Sequence, residues 1–229
     1  MIGVLISLVA AQTLSGVVPT EADPGSVLQH PRRARIPETG FTEADRGRVT
    51  LRQYARCLFA SSPQTVVTAV HFAPGEDSAA LDKLLRYDCV DSGSLQFSRE
   101  LLRGALFTEM YRRHESRRTG PWTYPVQAID FAAIPNLQSS SEVRLNYFLL
   151  EMADCVYAKH PDAVRAVVME DIASRAQNAA FVTVIAGLGP CVPNGVKLEL
   201  TRTVLDGAFG EYMYRTLASK LVPATGKPK

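Results

Sequence analysis

The chain has 229 residues, of which 46% are hydrophobic and 21% are charged. This length and balance suit one or two globular domains with an apolar core, and they exclude a chain that is disordered throughout. The 25 basic and 23 acidic residues give a formal net charge of +2, so no overall basic field favours nucleic acid as a partner. No apolar run reaches the roughly 18 residues that a membrane-spanning helix needs.

The first predicted element is a leader. Residues 2–11, IGVLISLVAA, are almost all apolar, and polar sequence containing Pro and Gly follows them. A run this short is typical of the core of a signal peptide rather than of a membrane span. Small-x-small cleavage sites end at Ala11 and at Ala22, and the second gives a more usual leader length. We therefore predict a signal peptide over 1–22 and a periplasmic or secreted protein; the alternative is a buried N-terminal helix or strand.

Two regions of the remaining chain are alike. ARCLFASSPQTVVTAV begins at Ala55, and ADCVYAKHPDAVRAVV begins at Ala153, at an offset of 98. Further on, CVDSG matches CVPNG at an offset of 102, and RGALFTEMYRR matches DGAFGEYMYRT at 103. The same landmarks in the same order, with little drift in the offset, indicate a duplication. The predicted segments are a flexible arm (23–47), a first helical repeat (48–115), a linker (116–140), a second helical repeat (141–220) and a flexible tail (221–229).

Each repeat is predicted to contain about four helices. Pro63 and Pro161 suit the first position of a helix, and the last helix of each repeat, at 98–114 and 201–219, has its apolar residues on one face. The apolar segment before Cys191 fits a buried helix or a strand by periodicity alone, and we assign a helix because the matching segment of the first repeat is helical. The predicted fold is all-α, with two tandem pseudo-symmetric units.

Two glycines lie in the middle of the predicted last helices. Gly104 and Gly207 occupy the same position in their repeats. Glycine inside a helix costs roughly 0.5–1 kcal/mol relative to alanine. Its presence in both repeats predicts a close approach between helices.

The chain has four cysteines, and none of them belongs to a C-x-x-C pair. This spacing argues against zinc ribbons and thioredoxin-like sites, and an even number behind a leader favours disulfides. A repeated unit should repeat its cross-link, so we predict Cys57–Cys89 and Cys155–Cys191. Pairing between the repeats, Cys57 with Cys155 and Cys89 with Cys191, is the main alternative, and catalytic or metal-binding cysteines are the lesser one.

The motifs of common catalytic and metal sites are absent from the sequence. It contains no G-x-S-x-G, S-x-x-K, H-E-x-x-H, Walker A or EF-hand loop. We therefore assign no catalytic residue, no cofactor and no metal ligand. A hydrolase-like enzyme is the alternative, and it would use His160, Glu170 or Asp171 as acid–base groups.

Two other features favour partner binding. The segment RRHESRR, at 112–118, brings together cations that suit a phosphate, an anionic lipid or an acidic partner. Its alternative role is a solvated helix end, where cations are favoured by the helix dipole. The single tryptophan suits anchoring of a partner or packing of the linker onto the helices. The candidate anion- or partner-binding residues are Arg112, Arg113, His114, Arg117, Arg118 and Trp122.

The repeat also resembles a known group of sequences. Its landmarks are A-x-C-hydrophobic-x-A-x-x-P, then C-x-x-x-G, then a helix carrying Gly-Ala and Met-Tyr-Arg. They resemble the uncharacterised small secreted tandem-repeat proteins of alphaproteobacteria, especially of sphingomonad type. The resemblance implies export and a duplicated architecture, and it implies no mechanism. These landmarks fall at 55–63, 89–93 and 104–112, and again at 153–161, 191–195 and 207–215.

Together these observations predict an exported, non-enzymatic helical protein that acts as a binding or envelope-associated module. Its binding surface would be the groove between the repeats or the face formed by 112–118. The expected partner is an envelope protein or an anionic surface, and nucleic acid is not expected. The alternatives are the hydrolase-like enzyme and a lipid-binding helical protein that resembles saposins.

Overall fold

The computed structural model contains helices and no strand in the part of the chain that it describes. The all-α prediction is thereby confirmed, and the segment before Cys191 is helical. All described residues belong to one unit, Arg35–Lys229. The predicted leader, 1–22, lies outside the described residues. The described ranges are 40–72, 78–90, 96–117, 126–131, 141–193 and 200–221.

The helices come in the same order in the two halves of the chain. Each half has a long helix, a short helix that begins at proline, a third helix, a 3-10 turn that ends at cysteine, and a long last helix. The 3-10 turns are Tyr87–Cys89 and Gly189–Cys191. This order agrees with a duplication, which stays a prediction. The helices are α1 (Glu43–Ser61), α2 (Pro63–Val70), α3 (Ser78–Asp82), α4 (Arg99–Arg117), α5 (Ser141–Lys159), α6 (Pro161–Met169), α7 (Arg175–Leu188) and α8 (Arg202–Leu221).

Helix α1 begins at Glu43, earlier than the sequence indicated. The Thr42 hydroxyl accepts a hydrogen bond from the backbone N–H of Asp45 at 3.1 Å, which satisfies one of the free donors of the first turn. The prediction of a flexible arm over 23–47 is therefore wrong for 43–47. At the other boundaries, α4 continues to Arg117 and α8 to Leu221, each slightly beyond the predicted end of its repeat.

Both predicted disulfides are confirmed. Cys57 pairs with Cys89 and Cys155 with Cys191, with Cα–Cα distances of 5.6 and 5.7 Å. Each bond ties the first helix of a half to the 3-10 turn before its last helix. The closed loops, with sequence separations of 32 and 36, each correspond to roughly 3–4 kcal/mol of stabilisation in the chain-entropy model.

The two halves meet where α4 crosses α8. A Cβ built on Gly104 would lie only 2.6 Å from the Cα of Gly207, and a Cβ on Gly207 would lie 2.9 Å from the Cα of Gly104. The close approach predicted from the paired glycines is confirmed. Further along the crossing, a Cβ on Gly210 would collide with Thr108, so glycine keeps these two backbones in contact.

Arginine side chains link the end of each last helix to the opposite half. Arg112, on α4, donates to the carbonyl oxygens of Val168 at 2.9 Å and of Glu170 at 3.2 Å, and also to that of Met169. These carbonyls belong to the end of α6, where a helix leaves its last acceptors without an internal partner. Arg112 therefore caps a helix of the second half.

Arg215 does the same in the other direction. It lies on α8, 103 positions after Arg112, and it is fully buried. Its Nη2 donates to the carbonyl oxygens of Val70 at 3.1 Å and Phe72 at 2.7 Å, at the end of α2. The two halves are thus interlocked, because the second helix of each is capped by the last helix of the other.

Candidate functional site

A cavity of about 920 Å³ lies between α1 and α4 of the first half and α5 and α8 of the second. We call it the interface cavity. Its volume lies within the range of small-molecule sites, which are also mostly apolar. It corresponds to the groove between the repeats that the sequence analysis named as a candidate surface. The apolar lining consists of Ala44, Leu51, Phe97, Leu101, Leu145, Leu149, Leu150, Leu200, Val204 and Ala208.

Matched positions of the two halves form much of the lining. Residues at matched positions of α1 and α5, or of α4 and α8, line the cavity from the two halves. The site is therefore built from both halves, and a single half would leave it open. The matched pairs are Gly47 with Leu145, Arg48 with Asn146 and Leu51 with Leu149, at an offset of 98, and Leu101 with Val204 and Gly104 with Gly207, at 103.

Arg48 supplies a buried positive charge to the cavity wall, and it is only 4% exposed. Its Nη1 lies 3.1 Å from Asp45 Oδ1, its Nη2 donates to Gln177 Oε1 at 3.1 Å, and Asp206 Oδ2 lies 3.7 Å away. Its guanidinium also stacks 5.0 Å from the ring centre of Phe181. Burial lowers the pKa of Arg48, and the carboxylates of Asp206 and Asp45 oppose that shift.

A second buried charge cluster lies at the α4–α8 crossing. Glu211 accepts from Arg103 Nη2 at 2.8 Å and Arg103 Nε at 2.9 Å, and from Arg215 Nε at 2.8 Å. Burial raises the pKa of Glu211, but the two arginines outweigh this effect and hold the pKa below its ordinary value. The carboxylate is therefore ionised, and both of its oxygens accept hydrogen bonds from arginine.

Asn146 on α5 takes the position that Arg48 holds on α1. It is 9% exposed, and within the described part of the chain its buried Nδ2 has no hydrogen-bond partner. Most buried polar atoms in folded proteins are paired, so an unpaired one indicates a bound water, a ligand or a cost in stability. The sequence does carry a signal for this site, namely a polar residue at a matched position on an apolar helix face, but neither Arg48 nor Asn146 was among the predicted site residues.

Arg112 and Arg113, two arginines of the predicted binding segment, contact other groups of the protein. Arg112 caps α6, and Arg113 Nε lies 2.6 Å from Glu109 Oε1, with its guanidinium 5.0 Å from the ring centre of Phe59. His114 follows on the same helix, where burial lowers its pKa. These contacts favour a structural role for the two arginines, and anion binding by this segment stays a prediction.

The other members of that set fall outside the described side chains. Arg117 is the last residue of α4, and only its backbone is described. Arg118 and Trp122 lie outside the described residues. A binding site formed by all six candidates therefore stays a prediction.

The residues considered for a hydrolase do not line the interface cavity. The His160 ring packs against α7, so closely that a Cβ on Gly187 would lie 2.6 Å from it. Glu170 ends α6, and Asp171 is exposed, with Oδ1 3.7 Å from Arg112 Nη2. Among the described residues, no three His, Cys, Asp or Glu side chains are grouped to hold a metal ion.

Comparison with known proteins adds no relative. No family model, no curated protein and no solved structure matches the chain. Within the described residues, no helix combines the length and the apolarity needed to cross a bilayer.

Proposed function

We propose that the protein is an exported, non-enzymatic binding protein that takes a small, largely apolar molecule in the interface cavity. The observation that carries the proposal is the cavity itself, with about 920 Å³ of space and mostly apolar walls from both halves. Apolar walls with a few fixed polar groups are typical of small-molecule sites.

Export and duplication belong to the same proposal. The two disulfides fit a protein of an oxidising compartment, and the apolar run at 2–11 supports a leader. The matching order of helices, disulfides and capping arginines supports a duplicated ancestry. In a duplicated fold, a site between the copies forms as soon as they pack together, which explains why matched positions line it.

Gly47 offers a direct test, because it lines the cavity and a Cβ built there meets no atom within 4 Å. The full chain is titrated with N-phenyl-1-naphthylamine, an uncharged probe that fluoresces in apolar surroundings. We expect wild type and Gly47→Ala to bind the probe equally. Gly47→Phe places a ring at the cavity wall and should weaken binding.

Circular dichroism and thermal unfolding would check that both variants are folded. Failure of wild type to bind the probe, or unchanged binding by the folded Gly47→Phe variant, would contradict the proposed site. The Gly47→Ala variant separates the effect of the ring from that of replacing glycine.

A further inference from the structure

The charged groups around the interface cavity compensate one another. Glu211 pairs with Arg103 at 2.8 Å. Arg48 and Arg52 share Asp206, at 3.7 and 2.9 Å, and Arg48 also lies 3.1 Å from Asp45. A buried charge is costly unless it is paired with an opposite charge and hydrogen-bonded. An ionised head group in this cavity would therefore meet counter-charges that already have partners.

The remaining charges at the site do not change this balance. Arg215 shares Glu211 with Arg103, and its surplus positive charge faces the carbonyl oxygens at the end of α2, which form the negative pole of that helix. Glu100, a partly buried residue of the lining on α4, adds a negative charge that disfavours an anion further.

Hydrogen-bonding capacity, in contrast, is left over in the lining. Asn146 Nδ2 and Arg48 Nε belong to lining residues, and these buried donors have no hydrogen-bond partner within the described residues. The terminal torsion of an asparagine amide is soft, so Asn146 can turn its amide to a molecule in the cavity. A hydroxyl or carbonyl oxygen, which accepts hydrogen bonds, complements these donors.

We infer that the ligand of the interface cavity is an electrically neutral amphiphile, with an apolar body and a hydroxyl or carbonyl head group that hydrogen-bonds to Asn146. Long-chain alcohols and their esters are the chemical class that fits. This inference rests on the proposed function, since it specifies the ligand of the same cavity.

The test compares three molecules that share one chain and differ only in charge. Decanol, decanoate and decylamine each displace N-phenyl-1-naphthylamine from the full chain at pH 7. We expect decanol to bind at least about 10-fold more tightly than either ion. Tighter or equal binding of decanoate or decylamine would overturn the inference, because it would require an uncompensated counter-charge at the site.

A second variant tests the head group itself, since any apolar surface prefers an uncharged molecule. Asn146→Leu removes the amide and should weaken decanol binding by about 2- to 10-fold without weakening probe binding. Gln64→Leu, the same kind of change at an exposed residue of α2 outside the lining, should leave decanol binding unchanged. Unchanged decanol binding by Asn146→Leu would also overturn the inference.

The two proposals fail in different ways. If wild type does not bind the probe, the cavity is not a binding site, and the proposed function and this inference are both wrong. If the probe binds and decanol shows no preference or no dependence on Asn146, the cavity binds apolar molecules, and only the ligand class is wrong.

Discussion

Single residues show how this protein keeps charge inside an apolar core. Arg215 is fully buried, and its guanidinium contacts the Glu211 carboxylate and the backbone carbonyls at the end of α2. Removing one partner of a buried pair leaves the other without compensation, which costs far more than losing a surface pair. The arginines of the repeated Met-Tyr-Arg motif therefore act as internal caps, which neither composition nor spacing indicated.

Arg215→Met is expected to lower the free energy of unfolding by roughly 3–5 kcal/mol. The methionine keeps much of the apolar stem, but the α2 carbonyls lose their donor and Glu211 keeps only Arg103. Urea unfolding followed by circular dichroism measures the change. Arg86→Met is the matched control, because Arg86 and Asp88 form an exposed pair, and it should leave the midpoint unchanged. Similar midpoints for the two variants would show that the buried guanidinium of Arg215 does not stabilise the fold.

Glu211 makes stability depend on pH. Its pKa is lowered in the folded state, so the ionised carboxylate contributes stability above its unfolded pKa, near 4.5. That contribution is lost as the pH falls below this value towards the folded pKa. We expect the free energy of unfolding of wild type to decrease between pH 5 and pH 3 more steeply than that of Glu211→Gln, with urea titrations at each pH as the measurement. Equal slopes would show that another carboxylate controls the acid response.

At the scale of helices, two effects oppose each other at the crossing of α4 and α8. Close packing requires glycine there, whereas helix propensity favours alanine. Gly104→Ala gains helix propensity, but its Cβ would lie 2.6 Å from the backbone of Gly207. We expect a net loss of about 1–3 kcal/mol, typical of overpacking. Gly47→Ala meets open space and should gain about 0.5–1 kcal/mol. Thermal unfolding of both variants is the measurement, and a gain in both would contradict the observed crossing.

The same scale shows what the sequence could predict. Apolar periodicity, the prolines at helix starts and the repeat indicated the helices, the glycine crossing and the disulfide pairing, because each depends on local sequence or on symmetry. The first turn of α1 was missed although Thr42 and Asp45 carry a capping signal. Contacts such as Arg215 with Val70, which are 145 positions apart, depend on how the helices pack, and no local pattern encodes them.

For the whole molecule, the interlocking of the halves explains why the cavity lies where it does. Arg112 completes α6 and Arg215 completes α2, so each half needs the other for its own hydrogen bonds. The glycine crossing brings the last helices into contact, and the first helices then form the cavity walls on either side. The matched positions of the lining are not identical, since α1 has Arg48 where α5 has Asn146. This difference makes the lining asymmetric, as orientation of the proposed ligand would require.

The proposed export concerns the whole chain, and intact mass tests it together with the disulfides. We expect protein recovered from its native envelope to begin at Asp23, after cleavage behind Ala22. Alkylation should add nothing before reduction and four groups after it, because all four cysteines are paired. Recovery of the full-length chain with four reactive thiols would contradict export, since free thiols are the rule in reducing compartments. A cleaved chain that begins elsewhere would leave export intact and correct only the cleavage site.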